Sequence, residues 1–168
     1  MHPMLTIALQ ASRQASKHML RAFDQPDRLT ISEKTTNDYV TDVDTFAEQI
    51  IIEHIQKAYP SHSILSEEHG KIDGDEYCWI IDPLDGTSNF IHGIPHFAIS
   101  MAVKKNDEMI VSLIFDPIRN ELFTATKGGG TQLNHRRIRV SNTARLSQAL
   151  IGTGFPFRDK QHIAPYLS

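Results

Sequence analysis

Asp82 and Asp85 stand three residues apart in the run Trp79-Ile80-Ile81-Asp82-Pro83-Leu84-Asp85-Gly86-Thr87-Ser88-Asn89-Phe90. An apolar stretch delivers Asp82 as a strand would, and Pro83, which has no N–H to donate, predicts that the strand's ladder ends there. Gly86 permits backbone to approach a ligand closely, and Thr87-Ser88-Asn89 can expose N–H groups at the start of a helical turn. Carboxylates and carbonyls at this density suit Mg²⁺, which takes a few hard oxygen ligands and leaves the rest to water or phosphate. Free amides at a helix start suit a phosphate. A β-turn followed by a helix cap is the plainer reading of the same letters.

Further acidic residues come from two other places. Ser66-Glu67-Glu68 closes the predicted strand just before this one, so Glu67 or Glu68 can meet Asp82 at one end of a sheet. Like charges packed that closely repel, and a shared cation is the simplest remedy. In Asp38-Tyr39-Val40-Thr41-Asp42-Val43-Asp44, Asp42 has a sufficient role as a cap that complements a helix dipole. Asp38 and Asp44 can instead reach the carboxylate cluster from behind and orient water or Thr87.

The elements that must position these groups follow from periodicity. Apolar and small residues recur at spacings of three and four over 4–23 and again over 43–58, the second run opened by Thr41 or Asp42 and closed by Pro60. Residues 29–34 alternate as a short strand and lead into a loop. From residue 63 the texture is β, with strands predicted at 63–66, 78–81, 97–104, 109–115, 122–126 and 136–140. Lys105-Asn106-Asp107 and the 116–120 reversal predict an antiparallel meander. The expected fold class is α+β, with two amino-terminal helices packed on a mainly antiparallel β-sheet.

Composition excludes several classes. The chain has 168 residues, 17 Lys plus Arg against 20 Asp plus Glu, a formal charge of −3, and 40% hydrophobic residues, the balance of a folded domain without a polyelectrolyte tail. One cysteine, Cys78, cannot form an internal disulfide, and beside an inner strand it is expected to be a small buried hydrophobe. No apolar window approaches the ~20 residues of a membrane span, and the charged start is unlike a signal peptide, so no membrane association is expected. Gly128-Gly129-Gly130 lacks the lysine of a phosphate loop and reads as a hairpin turn, and His92 and His96 lack partners at zinc spacing. His135-Arg136-Arg137-Ile138-Arg139 is the basic cluster, either a solvated face or a contact for RNA or an acidic protein.

Taken in order, Asp38 to Asp44, Ser66-Glu67-Glu68, the 79–90 run and Gly152-Thr153-Gly154-Phe155-Pro156 resemble the motifs of the inositol monophosphatase family across essentially the whole chain. The opening Met1-His2-Pro3-Met4-Leu5 and the 116–126 segment are similar to its bacterial SuhB-type members in particular. The resemblance implies the first half of the layered αβαβα sugar-phosphatase fold. It also implies Mg²⁺-dependent, lithium-sensitive hydrolysis of myo-inositol monophosphate to inositol and phosphate by metal-activated water, in a cytoplasmic homodimer.

By position, Glu67 corresponds to the metal-bridging glutamate, Asp82 and Asp85 to the metal aspartates, and the Leu84 carbonyl to a backbone ligand. Asp85, Gly86 and Thr87 correspond to phosphate contacts. Thr87 also positions the attacking water, and Asp44 hydrogen-bonds this threonine, so that Glu67, Thr87 and Asp44 form the implied catalytic set. Family members continue into a second α/β domain where a Trp-Asp followed by Ala-Gly supplies another metal aspartate, and no Trp-Asp occurs here. The expected division is therefore a metal-binding domain at 1–155 and the start of a second domain at 156–168, with little or no turnover from these residues alone.

Two other readings stay open: a sugar-bisphosphate or 3′-phosphonucleotide phosphatase on the same fold, and a regulator of transcription complexes in which phosphatase activity is incidental. The short 71–76 loop favours a monoesterase.

Overall fold

Small side chains decide how closely the first helix packs. The structure, a computed structural model, describes residues 2–35, 38–154, 161 and 163–167. Helix α1 (Pro3–Phe23) opens on His2, whose Nδ1 accepts from the Met4 N–H, and on Pro3, whose missing N–H is harmless in a first helical turn. It buries Leu5, Ala8, Ala11, Ser12, Ala15, Ser16 and Met19. Ser12 is satisfied within the helix, donating to the Ala8 carbonyl at 2.7 Å.

Strands β1 (Ile31–Thr35) and β2 (Asp38–Thr41) pair antiparallel and lead directly into α2 (Asp42–Ala58). A reciprocal cap starts that helix: the Thr41 hydroxyl accepts from the Val43 N–H at 3.2 Å, and the Asp44 carboxylate accepts from the Thr41 N–H at 2.9 Å. The buried face of α2 carries Val43, Ala47, Ile51, Ile52 and Ile55, and with them two carboxylates, Asp44 and Glu48.

The main sheet is built from β3 (Ser63–Ser66), β4 (Gly70–Ile72), β5 (Tyr77–Asp85), β6 (Ala98–Lys105), β7 (Glu108–Asp116), β8 (Glu121–Thr126), β9 (Gly130–Leu133) and β10 (Arg136–Arg137). Its spatial order is β10-β9-β8-β7-β6-β5-β3-β4. From β5 to β10 it is an antiparallel meander, while β3 runs parallel to β5. Both amino-terminal helices lie on one face, and the core between the layers is filled by Trp79, Ile81, Ile99, Met101, Val103 and Leu113 with Ala11, Ala15, Met19, Ile51 and Ile55. Short helices α3 (Thr87–Ile91) and α4 (Ile163–Leu167), with single 3₁₀ turns at Pro26–Arg28 and Leu146–Gln148, complete the described elements. Among the described residues no helix is long and apolar enough to cross a membrane.

Register places the chemistry. Ser66 pairs with Ile81, so Glu67 and Asp82 are the next residues on neighbouring parallel strands and leave the sheet at the same end. Asp82 pairs with Ser100 and Asp85 with Ala98, so three steps along β5 oppose two along β6. This bulge changes the alternation of β5: residues three apart would face opposite sides of a regular strand, and the extra residue lets them serve one end. Upstream, Trp79 fixes the strand by donating its indole N–H to His62 Nδ1 at 3.0 Å, with His62 stacked between Tyr59 and Tyr77.

Both long helices, the short strand at 29–34 and the meander match the expectations from sequence. Pro83 does not end β5, because the bulge absorbs it and pairing resumes at Asp85. The segment before α2 is a strand, not only a loop, since Tyr39, Val40 and Thr41 favour a pleated partner. The strand expected over 136–140 shortens to Arg136–Arg137, which pair on one side only, at an edge of the sheet. Cys78 is half-buried. The domain boundary expected at 155/156 lies outside the described residues.

Ile81 is 3% exposed and sits beside the Asp82 bulge, so Ile81→Ala should cost about 2–5 kcal/mol by lost burial and cavity formation. Chemical denaturation of both proteins measures this. A cost below ~1 kcal/mol would show that the strand is held by other contacts.

Candidate functional site

Asp82 is the electrostatic centre of the strand-end cluster. Half-buried at the carboxyl end of β5, it is pushed up to about 7, first by burial and then by the neighbouring charges of Glu67 and Asp85. A hydrogen bond with the Glu67 side chain also favours its protonated form, while the Leu84 N–H, donating to Asp82 Oδ1 at 3.2 Å, opposes the shift. Glu67 and Asp85 are exposed on either side. The structure therefore brings together the acidic residues that the sequence drew from two strands.

Thr87 is the second focus. Gly86 caps α3 with φ 100°, in the left-handed region, and a Cβ there would lie 3.0 Å from the His96 carbonyl oxygen. The Thr87 hydroxyl lies 2.9 Å from Asp44 Oδ1 and 3.0 Å from the Leu84 carbonyl oxygen. Its single hydrogen is committed to these acceptors, so its oxygen is left to accept from an incoming donor such as water. Asp44, 2% exposed, also accepts from the Thr41 hydroxyl at 2.5 Å and the Thr41 N–H at 2.9 Å. Burial raises its pKa, and these hydrogen bonds act against the rise. Gly86 and Thr87 occupy the start of α3, where backbone N–H groups lack intrahelical acceptors.

The donor set fits a divalent cation. Repulsion among Glu67, Asp82 and Asp85 is what a cation relieves, and the Leu84 carbonyl adds a hard oxygen nearby. Among the described residues no group of three or more His, Cys, Asp or Glu side chains is already placed to hold a metal ion without rearrangement. Mg²⁺ takes such a partial set, because it keeps water and substrate oxygens among its ligands. His92 caps the end of α3, and His96 lines the same cavity as Asp85 and Gly86, its Nδ1 3.1 Å from the Arg119 guanidinium. Asp42 stands in the first turn of α2, where its charge complements the dipole, but it does not cap the helix: Thr41 and Asp44 do, and Asp42 Oδ1 receives the Thr30 N–H at 3.2 Å. The side chain of Asp38 lies outside the described residues.

One participant was missed in the sequence. Glu48, 0% exposed, accepts from the Ser66 hydroxyl, the Glu68 and His69 N–H groups and His69 Nδ1, at 2.6–2.9 Å. The available signal was its spacing of four from Asp44, one turn along the same face of α2.

Two helices over a mainly antiparallel sheet, with carboxylates gathered at its strand ends, form the first half of the layered αβαβα sugar-phosphatase fold. The chain belongs to the inositol monophosphatase family, whose sequence profile matches residues 1–166. It is 51% identical over 165 residues to the Nus factor SuhB of Pseudomonas aeruginosa, covering 96% of this chain and 61% of that protein. The crystal structure of the extragenic suppressor protein suhB from Bartonella henselae superposes with a TM-score of 0.93 at 38% identity, covering 98% of this chain and 64% of that one. The Thermotoga maritima IMPase superposes with a TM-score of 0.77 at 35% identity, covering 83% and 54%. The chain thus spans less than two thirds of the length of these relatives.

Because Asp82 is raised to about 7 from its ordinary 3.8, the folded chain keeps a proton that the unfolded chain has already released between those values. The stability linked to that proton is complete at low pH and is lost as pH rises through about 7. In metal-free buffer, the thermal midpoint of Asp82→Asn relative to wild type should therefore climb from pH 5 to pH 8. A constant difference would refute the shift.

Proposed function

We propose that the chain forms the metal-binding and phosphoryl-gripping part of a Mg²⁺-dependent phosphatase acting on myo-inositol monophosphates. The observation that carries this reading is the convergence of Glu67 and Asp85 on Asp82 beside a Thr87 hydroxyl held by Asp44. Glu67, Asp82, Asp85 and the Leu84 carbonyl would hold Mg²⁺, which supplies Lewis-acid charge and makes water acidic enough to attack phosphorus near neutral pH. Thr87 accepts a hydrogen bond from the attacking water, and Asp44 keeps the threonine proton turned away. Glu67 shares in orienting that water, and the Gly86 and Thr87 amides grip phosphate oxygens together with Asp85. The same reading takes the protein as a lithium-sensitive cytoplasmic homodimer, with residues 156–168 beginning a second α/β domain.

Calorimetric titration of the chain at pH 8 should show Mg²⁺ binding that Asp85→Asn abolishes, and inositol 1-phosphate should bind only once Mg²⁺ is present. In the native protein, Thr87→Ala and Asp44→Asn should each lower kcat for phosphate release by roughly 10²-fold or more. Absence of Mg²⁺ binding ends the proposal. A preference for a sugar bisphosphate or a 3′-phosphonucleotide would keep the chemistry and replace the substrate.

A second reading rests on a different observation. Arg136, Arg137 and Arg139 are exposed on the β9–β10 edge, and the sequence carries no acidic residue between Glu121 and Asp159. With relatives named as Nus factors, this edge favours a contact with an RNA or acidic partner in a transcription complex. Charge reversal at all three arginines should abolish salt-dependent retention of single-stranded RNA while Mg²⁺ binding stays intact. Retention unchanged by the reversal would exclude this edge.

A further inference from the structure

Glu48 reaches from helix α2 to the turn after β3. Its Oε1 faces the Ser66 hydroxyl at 2.8 Å, the His69 N–H at 2.7 Å and His69 Nδ1 at 2.6 Å, while Oε2 faces the Glu68 N–H at 2.9 Å. A fully buried carboxylate is tolerated only when donors surround it. Here the donors are the residues on both sides of Glu67. The peptide entering Glu67 comes from Ser66, whose hydroxyl is tied to Glu48, and the peptide leaving it ends in the Glu68 N–H, tied to the other oxygen. With both flanks fixed, the Glu67 backbone has little freedom, and its side chain meets Asp82.

We propose that Glu48 is a positioning residue: by clamping the 66–69 turn it aims Glu67 at Asp82 and so sets the affinity of the site for Mg²⁺. This rests on the reading of the strand-end carboxylates as a Mg²⁺ site. The clamp is coupled to the other half of the site through α2, because Asp44 and Glu48 lie one turn, about 6 Å, apart along the same helix face. Asp44 holds Thr87 and Glu48 holds the Glu67 turn, so one helix sets the spacing between the group that orients water and a group that carries the metal. Groups that support a metal ligand from behind typically change affinity by roughly 10–100-fold when removed.

The experiment compares wild type, Glu48→Gln and Glu53→Gln by calorimetric Mg²⁺ titration and by hydrogen exchange of the metal-free chain. Glutamine keeps the shape but points an amide N–H₂ at groups that are themselves donors. The expected result for Glu48→Gln is faster exchange of the Glu68 and His69 amides and a Mg²⁺ affinity lower by a factor on the order of 10 or more. Glu53→Gln, on the exposed face of the same helix, should match wild type. If Glu48→Gln does not fold, His69→Ala and Ser66→Ala each remove one donor and should each weaken Mg²⁺ binding by a smaller factor. Wild-type Mg²⁺ affinity in a folded Glu48→Gln, or in both donor variants, overturns the positioning role alone. A wild-type chain that binds no Mg²⁺ overturns the metal site and this role together.

Discussion

Repulsion among carboxylates at one end of a sheet is the constraint around which this domain is built. Glu67, Asp82 and Asp85 would separate if the chain were free to let them. The strands do not allow it: β3 and β5 run parallel and end together, and the partner strand β6 pins Asp82 and Asp85 on both sides of a bulge. The cost appears as the raised pKa of Asp82, whose first cause is burial. Strain of this kind is maintained by the core beneath it, where Trp79 and Ile81 anchor β5 between the helices and β6.

Helix α2 does more than cover the sheet. Its inward face alternates apolar residues, which hold it against β5, with two acids, which hold loops at the strand ends. Neither acid is an isolated buried charge. Asp44 is part of its own helix cap and receives the Thr87 hydroxyl, and Glu48 is enclosed by donors from the 66–69 turn. The apolar contacts fix the distance from helix to sheet, and the polar ones convert that distance into the placement of two loops.

Much of this was legible in the sequence, for physical reasons that differ by residue. The helices at Pro3–Phe23 and Asp42–Ala58 announce themselves through spacing, and the Thr41 cap through side-chain chemistry. Asp82, Asp85 and Thr87 stand close along the chain, where Pro83 and Gly86 mark a departure from regular structure. The Asp44 to Thr87 contact joins residues 43 apart in the sequence, and it was placed through family resemblance where periodicity had nothing to say. Glu48 is harder to read, because a glutamate inside an amphipathic helix is expected to face water, and its spacing of four from Asp44 is the one hint that its side is the inner one. Phe46, which its spacing of three from Val43 and four from Ile50 would put on the apolar face, is 45% exposed, so the true inner face is rotated toward the acids. The parity of β5 was also hidden, since proline signals an interruption without saying whether pairing resumes beyond it.

The bulge in β5 makes the domain sensitive to chain length in a way that residue identity does not capture. Deleting one residue between Asp82 and Asp85 would restore an even pleat and leave both aspartates on one face, but it would take out one of the two residues, Pro83 and Leu84, whose bulge presents the Leu84 carbonyl to the Thr87 hydroxyl. Among natural variants of this segment, conservative replacements should therefore be commoner than single-residue gaps.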